Sequence, residues 1–175
     1  DGGLWDGFRS EELATSAGFE ADPVKVWRWY DHRRQAIADA DPNPAHLAIA
    51  RLEKAFKAFQ LVTQNGDGLH QRAGCRTPVE LHGNIWRARC VKEQTVFPLT
   101  ECPLSTIPPR CRRCGSYLRP DIVWFGAPLP PRAFEAARDA AARGDAMLVV
   151  GTSAQVMPAA SLPLIAKHNG AFVVE

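Results

Sequence analysis

Short apolar runs that end in polar, glycine-containing turns alternate with helical patterns along most of the chain, and this alternation constrains the fold most strongly. The run 59–63 leads into the turn 63–68, and the run 146–150 leads into the turn 151–153. Proline start signals and apolar residues at helical spacing predict helices over 23–39, 44–58, 131–143 and from 158 to a stop at Gly170. Alternating strands and helices build right-handed units around a mostly parallel sheet, so we predict an α/β fold.

Polar turns follow two of the predicted strands, and further short strands are predicted at 79–83, 122–126 and 171–175. We call 63–68 and 151–153 the first and second polar turns, because both are rich in Thr, Asn, Asp, Ser and Gly. Each turn alone is compatible with an ordinary loop. In parallel sheets, however, ligands bind outside the carboxyl ends of the strands. Two such turns on one edge therefore favour a polar crevice that binds a ligand.

The charge balance excludes several classes of partner. The 175 residues include 21 Lys and Arg against 19 Asp and Glu, which leaves a net charge of +2. No run of like charge requires a nucleic acid or an anionic membrane surface. No apolar stretch reaches the roughly 18 residues of a membrane span, and the N-terminal residues lack the pattern of a signal peptide. We therefore expect a cytoplasmic protein without nucleic-acid or membrane partners.

Clustered cysteines predict a structural zinc site. Cysteines occupy positions 75, 90, 102, 111 and 114, an odd number that argues against a disulfide framework. Cys111 and Cys114 have the spacing of one zinc-knuckle half, and Cys90 lies at the right distance for the other half. The fourth ligand is Cys102, which we prefer, or Glu93, or it is absent. The alternative to a zinc site is that the metal has been lost and the loop packs without it. Cys75, which lies apart from the others, is expected to be an ordinary small side chain.

The motifs of this chain, taken in order, resemble the sirtuins, the NAD-dependent protein-lysine deacylases. The resemblance rests on the segments T-Q-N-G-D-G-L-H at 63–70, E-L-H-G at 80–83, the knuckle at 111–114, L-R-P at 118–120, V-W-F-G at 123–126, G-T-S at 151–153 and V-M-P-A-A at 156–160. It covers essentially the whole chain.

The resemblance implies a Rossmann-like parallel sheet, here incomplete with its first strand missing, together with a small helical and zinc-ribbon module. The implied division is a helical small-domain segment at 1–58, the NAD-binding domain at 59–87 and 119–175, and the zinc module at 88–118. The implied function is transfer of an acyl group from lysine to ADP-ribose with release of nicotinamide. NAD and zinc are the implied cofactors, and acyl-lysine proteins or peptides are the implied partners.

Site residues also follow from the resemblance. His82 corresponds to the catalytic base, which in the family takes the proton from a ribose hydroxyl after the acyl oxygen has attacked the ribose and expelled nicotinamide. A histidine suits this role because its ordinary pKa lies near neutrality. The implied cofactor-binding residues are Gln64, Asn65, Asp67, Gly151, Thr152 and Ser153. The implied edges between which the acyl-lysine peptide is added as a strand are Phe125 with Gly126 and Val156 with Met157.

Tyr30 and Arg33 lie three residues apart on the helix predicted at 23–39 and share a face of it. They match the Tyr-x-x-Arg pair of the sirtuin branch that prefers succinyl-lysine and malonyl-lysine. A guanidinium and a phenol at the end of an acyl tunnel would bind a terminal carboxylate. The alternative is that Tyr30 belongs to the core and Arg33 is solvated.

The chain also departs from the family pattern. Gly66 replaces the usual Ile, which is expected to loosen the first polar turn, and Ala127 replaces an acid. The chain has no initiating Met, and the family's Gly-rich pyrophosphate turn and its late Asn-rich loop are not seen. We therefore expect a chain truncated at both ends, which binds NAD weakly and is inactive as it stands. The alternative function is a non-catalytic, zinc-stabilised peptide-binding module or an inactive sirtuin fragment.

Overall fold

A computed structural model describes residues 10–175, with side chains from residue 12 onward, so the first nine residues of the predicted segment 1–58 lie outside the described part. The helices are α1 Ser10–Leu13, α2 Ser16–Ala21, α3 Pro23–Asp39, α4 Pro44–Ala55, α5 Leu69–Arg72, α6 Pro131–Arg143 and α7 Leu162–His168, the last preceded by a 3₁₀ turn at Ala159–Ser161. The strands are β1 Val62–Thr63, β2 Val79–Glu80, β3 Gly83–Cys90, β4 Val96–Pro98, β5 Leu118–Ile122, β6 Ala146–Leu148 and β7 Phe172–Val174.

Local signals fix the starts of the long helices. The Asp22 carboxylate accepts the N–H of Lys25 at 2.9 Å and so caps α3. The Asn43 side chain caps α4 by accepting the N–H of His46 at 3.1 Å. In return, Nδ1 of the His46 ring accepts the N–H of Asn43 at 3.2 Å. The predictions for α3 and α6 are confirmed at both ends, whereas α4 ends at Ala55, three residues before the predicted end.

The strands form two parallel pairs and one antiparallel sheet within the described residues. β1 pairs with β2, and β6 pairs with β7, both in parallel. β3 lies between β4 and β5 and is antiparallel to each. The predicted strands before the two polar turns are confirmed but are shorter than expected. They place both turns at carboxyl ends of parallel strands.

The strand predicted at 122–126 is wrong, because Ile122 ends β5 rather than beginning a strand. β3 was not predicted as a strand of its own, although it is eight residues long. Arg87 and Arg89 alternate along it with buried Ala88 and Cys90. Both arginines form ion pairs with Asp121, at 3.0 Å and 2.7 Å. Because these charged residues interrupt the apolar residues of the segment, the sequence pattern does not indicate a strand here.

Two hydrophobic clusters support the fold. One joins α2, α3, β3, β5 and the cysteine-bearing loops, and its most buried members on α3 are Val26 and Trp27. The other packs α6 and α7 against the parallel strands around Leu81 and Leu162. β3 and β5 cross the boundaries predicted at 87/88 and 118/119, and the division into domains stays a prediction. Among the described residues, no helix has the length and apolar character that a bilayer crossing requires.

Candidate active site

His82 lies in the short connection between β2 and β3, where the chain passes from one hydrophobic cluster to the other. Leu81 before it is fully buried in the cluster of α6 and α7, and Ile85 after it lies in the cluster of α3 and β3. The His82 carbonyl accepts the N–H of Val123 at 2.9 Å, while the residue as a whole is half-buried. The backbone at His82 is therefore fixed from both sides, and part of the residue remains accessible.

Gly83 allows β5 to approach the backbone directly beside His82. Its φ is +81°, a conformation that residues with a Cβ rarely adopt. A Cβ at this position would also overlap the carbonyl oxygen of Asp121. The glycine after His82 is thus required both by its backbone conformation and by the close contact with β5.

The His82 ring has a defined tautomer. Its Nδ1 lies 2.9 Å from the carbonyl oxygen of Gln64. A carbonyl oxygen only accepts, so Nδ1 carries the proton in this hydrogen bond. Nε2 is then the unprotonated nitrogen of the neutral ring, which is the form that a general base needs.

Carbonyl groups of the first polar turn accept hydrogen bonds from the segment that begins at His82. The Gly66 carbonyl accepts the N–H of Ile85 at 2.8 Å. The Asp67 carbonyl accepts the indole N–H of Trp86 at 2.7 Å. With the bond to the His82 ring, these contacts attach the turn to β3 through its backbone, which leaves its side chains available for other contacts.

The side chains of the first polar turn differ in their surroundings. Asn65 is exposed, and its N–H donates to the Thr63 hydroxyl at 3.1 Å. The Asp67 carboxylate accepts the N–H of Leu69 at 2.8 Å and so caps the start of α5. An exposed amide and a carboxylate with a second oxygen remain as polar groups that a ligand can contact.

The second polar turn meets the first through a side-chain hydrogen bond. The Gln64 amide donates to the Thr152 hydroxyl at 3.1 Å, and this hydroxyl also accepts the N–H of Ala154 at 3.2 Å. Gly151 has a φ of +63° and, like Ser153, is exposed. Gln64 therefore contacts both the candidate base and the second turn, so the structure brings His82 and the two predicted cofactor-binding segments together.

Gly66 does not leave a gap in the first polar turn. A Cβ at this position would lie 2.6 Å from Cδ1 of Ile122, so the Ile122 side chain already fills the space. The Gly66 carbonyl is also hydrogen-bonded, as described above. The expectation that Gly66 loosens the turn by losing an apolar contact is therefore wrong, because β5 supplies the contact instead.

Two residues beside the site were not singled out from the sequence. The Glu80 carboxylate accepts the amides of Gln71 at 2.6 Å and Asn84 at 2.5 Å, and it pairs with Arg87 at 2.8 Å. Glu80 could have been identified from the sequence, because it is the first residue of the E-L-H-G segment that contains His82. Trp86 contacts a carbonyl 19 positions earlier, and no local pattern predicts such a contact.

Tyr30 and Arg33 differ sharply in burial. Tyr30 is 3% exposed, and its hydroxyl oxygen accepts the indole N–H of Trp124 at 3.1 Å. Burial raises the pKa of Tyr30 to about 12, so the phenol keeps its proton at neutral pH. Arg33 is exposed, with its guanidinium carbon 4.9 Å from the centre of the Trp29 ring. Tyr30 therefore belongs to the hydrophobic core and Arg33 is solvated, which is the arrangement of the alternative interpretation, and a carboxylate-binding role of the pair stays a prediction.

The residues predicted to bind the peptide are accessible. Phe125, Val156 and Met157 are exposed by 54%, 52% and 68%, although their side chains are apolar. Gly126 is also exposed and has a φ of +78°. Neither segment belongs to a strand among the described residues. The Phe125 N–H already donates to the Ala14 carbonyl, and the Val156 carbonyl accepts the N–H of Ala160, both at 3.0 Å, so the addition of a peptide strand between the two segments stays a prediction.

The cysteine cluster consists of Cys90, Glu93, Cys111 and Cys114, whose ligand atoms all lie within 4.8 Å of one another. Tetrahedral zinc with sulfur ligands places neighbouring donors about 3.8 Å apart. The Cys90 and Cys114 sulfurs are 3.5 Å apart, and the Glu93 N–H donates to the Cys90 sulfur at 3.3 Å. Three thiols and a carboxylate in this arrangement fit a structural zinc ion.

The preference for Cys102 as the fourth ligand is wrong, since this residue is not part of the cysteine cluster. Burial raises the pKa of the Cys102 thiol, and its charged neighbours are Arg34 and Asp31 on α3 and Asp39 at the end of that helix. Glu93 follows Cys90 on the turn that leaves β3, and this turn brings its carboxylate to the knuckle. Cys75 is 4% exposed and lies apart from the cluster, as expected.

Comparison with known proteins agrees with this geometry. The model of the Sir2 family matches residues 1–158. NAD-dependent protein deacylase 2 of Pyrobaculum aerophilum is 56% identical over 174 residues, which are 99% of this chain and 70% of that protein. NAD-dependent protein deacylase 1 of Caldanaerobacter subterraneus is 51% identical over 173 residues, covering 99% of this chain and 72% of that protein.

Solved structures show the same relationship. A Sir2 homologue in complex with NAD superposes with a TM-score of 0.93 at 45% identity, over 98% of this chain and 67% of that one. Sir2Tm bound to a propionylated peptide superposes with a TM-score of 0.85 at 35% identity, over 95% of this chain and 72% of that one. This chain belongs to the Sir2 family, the sirtuins, and has the family's Rossmann-like α/β fold.

Proposed function

We propose that this chain is an NAD-dependent protein-lysine deacylase in which His82 is the catalytic base, and this proposal replaces the expectation that the chain is inactive as it stands. The observation that carries the proposal is the position of Gln64, which contacts the His82 ring with its carbonyl and Thr152 with its side chain. One residue thus connects the candidate base with both polar turns. Names of relatives and ligands of solved neighbours support the same activity.

The polar groups of the two turns suit NAD. They offer a side-chain amide at Asn65, a carboxylate at Asp67 and hydroxyl groups at Thr152 and Ser153, which match the hydroxyl and carboxamide groups of a nicotinamide riboside. NAD supplies the ribose that receives the acyl group and the nicotinamide that leaves. The exposed backbone at Gly151 offers main-chain groups without a side chain to obstruct them.

The role of His82 follows from its tautomer. The Gln64 carbonyl orients the ring and keeps the proton on Nδ1, so Nε2 can take a proton from a hydroxyl group. Gly83 and the Val123 hydrogen bond fix the backbone that carries the ring. His82 therefore acts as a positioned base rather than as a mobile surface histidine.

Replacing His82 by Ala tests the activity. Loss of a positioned base lowers rates by about 10²–10⁴-fold, so we expect deacylation of an acyl-lysine peptide to fall by this factor with an unchanged melting temperature. Nicotinamide release measures the reaction. His168→Ala is the matched control, because His168 is exposed at the end of α7. Equal rates for both variants would contradict the assignment, and peptide binding without nicotinamide release by the wild type would favour a non-catalytic binding module.

The same proposal includes a preference for acidic acyl groups. Tyr30 already accepts a hydrogen bond from Trp124, so its own proton can be donated to a substrate carboxylate. Arg33, three residues later on α3, adds a positive charge. Zinc at the cysteine cluster is structural, since four protein side chains complete a tetrahedral set and leave no position open for an activated water.

Arg33→Met tests the acyl preference, because it removes the charge and keeps an apolar stem. We expect the wild type to remove succinyl groups faster than acetyl groups, and the variant to reverse this order, as hydrogen bonds to charged groups contribute about 1.5–3 kcal/mol. Arg28→Met, at another exposed position of α3, is the control. An unchanged ranking in Arg33→Met would assign the pair to structure alone.

The proposal also places the chain in the cytoplasm. None of the five cysteines forms a disulfide, and three of them belong to the cysteine cluster. Thiols persist in a reducing compartment, where disulfides are rare. A fluorescent fusion of the chain located outside the cytoplasm would contradict this part of the proposal.

A further inference from the structure

Trp86 lies between the candidate cofactor site and helix α3. Its indole N–H donates to the Asp67 carbonyl at 2.7 Å. A Cβ at Gly68 would lie 3.0 Å from Cδ1 of the same indole, so the turn packs directly on the ring. Gly68 has a φ of +77°, and its contact with Trp86 thus coincides with the point at which the first polar turn reverses into α5.

On its other side, Trp86 contacts Arg34 of α3. The Arg34 guanidinium carbon lies 5.1 Å from the centre of the ring. Arg34 is fully buried and donates to the carbonyls of Leu99 and Glu101 at 2.6 Å and 2.7 Å. The N–H of Leu99 in turn donates to the Trp86 carbonyl at 2.8 Å. Arg34 and Trp86 are therefore fixed relative to each other by both side-chain and backbone contacts.

The surroundings of the first polar turn make this contact important. Gly68 and Trp86 line an open cavity of about 400 Å³ together with Gln71, Arg72 and Asn84. On this side the turn faces a cavity rather than closely packed side chains. The indole N–H holds the Asp67 carbonyl, whereas the Ile85 N–H holds the carbonyl of Gly66 and the Leu69 N–H holds the Asp67 carboxylate.

We propose that Trp86 is a positioning residue that fixes Asp67 for cofactor binding and that Arg34 fixes Trp86 from α3. The inference rests on the proposed function for the identity of the ligand, whereas the fixation of the turn is a property of the chain alone. Because Arg34 follows Arg33 directly, the link also connects the helix that carries the candidate acyl-binding pair with the cofactor turn.

The test compares two tryptophans that each donate one hydrogen bond of 2.7 Å to a carbonyl. Trp86→Phe removes the donor to Asp67, and Trp27→Phe removes the donor to Leu118. Amide hydrogen exchange of the full 175-residue chain at residues 67–69 is the first readout. We expect Trp86→Phe to accelerate this exchange about two- to tenfold, the range for one lost hydrogen bond. Trp27→Phe is expected to leave the exchange at residues 67–69 unchanged. Each variant is measured at a temperature equally far below its own melting temperature.

Steady-state kinetics provide the second readout. We expect Trp86→Phe to raise the KM for NAD about two- to tenfold, without a change in kcat or in the KM for the peptide. Arg34→Lys, which keeps the charge but loses the planar group over the indole, is expected to change both readouts in the same direction by less.

Each outcome is decisive. Equal exchange at residues 67–69 in Trp86→Phe and Trp27→Phe would overturn the positioning role. Faster exchange in Trp86→Phe with an unchanged KM for NAD would show that the turn is fixed but not for the cofactor, which also overturns the proposal. If the wild type neither binds NAD nor releases nicotinamide, the proposed function fails, while the exchange comparison still decides whether Trp86 fixes the turn.

Discussion

The first polar turn and the cysteine cluster are stabilised in opposite ways. Backbone carbonyls at Gly66 and Asp67 attach the turn to β3, and glycines allow the close approach. Four side chains define the cysteine cluster, on loops at the ends of β3 and β5. The difference teaches that the sensitive change near His82 is a methyl group added against a backbone carbonyl, as at Gly83, whereas the sensitive change at the cluster is the replacement of a single ligand atom.

Removal of a cysteine ligand should give the largest effect on stability. We expect Cys111→Ser to reduce zinc to well under one ion per chain and to lower the melting temperature strongly, because structural zinc contributes about 10–16 kcal/mol in zinc-finger peptides. Metal analysis and thermal unfolding measure this. Cys102→Ser is the control and should retain zinc, since Cys102 is outside the cluster. Loss of zinc from Cys102→Ser would return that residue to the ligand set.

Adding a methyl group beside His82 should cause the next largest loss of stability. Gly83→Ala combines a left-handed backbone with a clash against the Asp121 carbonyl, and we expect it to cost about 2–5 kcal/mol. Gly115→Ala in the knuckle is the matched control. Its φ of +72° is similar, but a Cβ there would meet nothing within 4 Å, so only about 1–2 kcal/mol is expected. Equal losses in denaturant unfolding would remove the contrast between the regions.

The smallest effect is expected at Gly66. A methyl group here would contact the end of the flexible Ile122 side chain, which can move, so Gly66→Ala should cost about 1 kcal/mol. A double-mutant cycle with Ile122→Val should give a favourable coupling of about 0.5–1 kcal/mol, because the shorter side chain makes room. Additive effects of the two substitutions would show that Ile122 does not fill the space of the missing side chain.

Much of the helical structure could be predicted from the sequence, because its signals are local. The boundaries of α3 follow from Asp22 and Pro23 at its start, and those of α6 from Pro131 and the stop at Gly144. The β-structure was predicted less well. β5 begins at Leu118 and not at Ile122, because its pairing with β3 is a long-range contact that no short pattern contains.

The candidate site, like the fold, was predicted in part. Motif order predicted Gln64, His82 and Thr152, and the structure brings these three together. The order of motifs in the sequence could not predict which residue completes the cysteine cluster. The choice between Cys102 and Glu93 depends on the path of the chain between the two knuckle halves.

Residue identities by themselves determined the helix starts, the polar turns after β1 and β6, and the thiols that fit zinc. Caps, turns and ligand chemistry depend on atoms within a few residues of one another or on the donor atoms themselves. Only the tertiary structure decided the tautomer of His82, the filling of the space at Gly66 by Ile122, and the contact of Trp86 with Asp67. Each of these depends on two segments that are distant in the sequence and meet because the hydrophobic clusters pack them together.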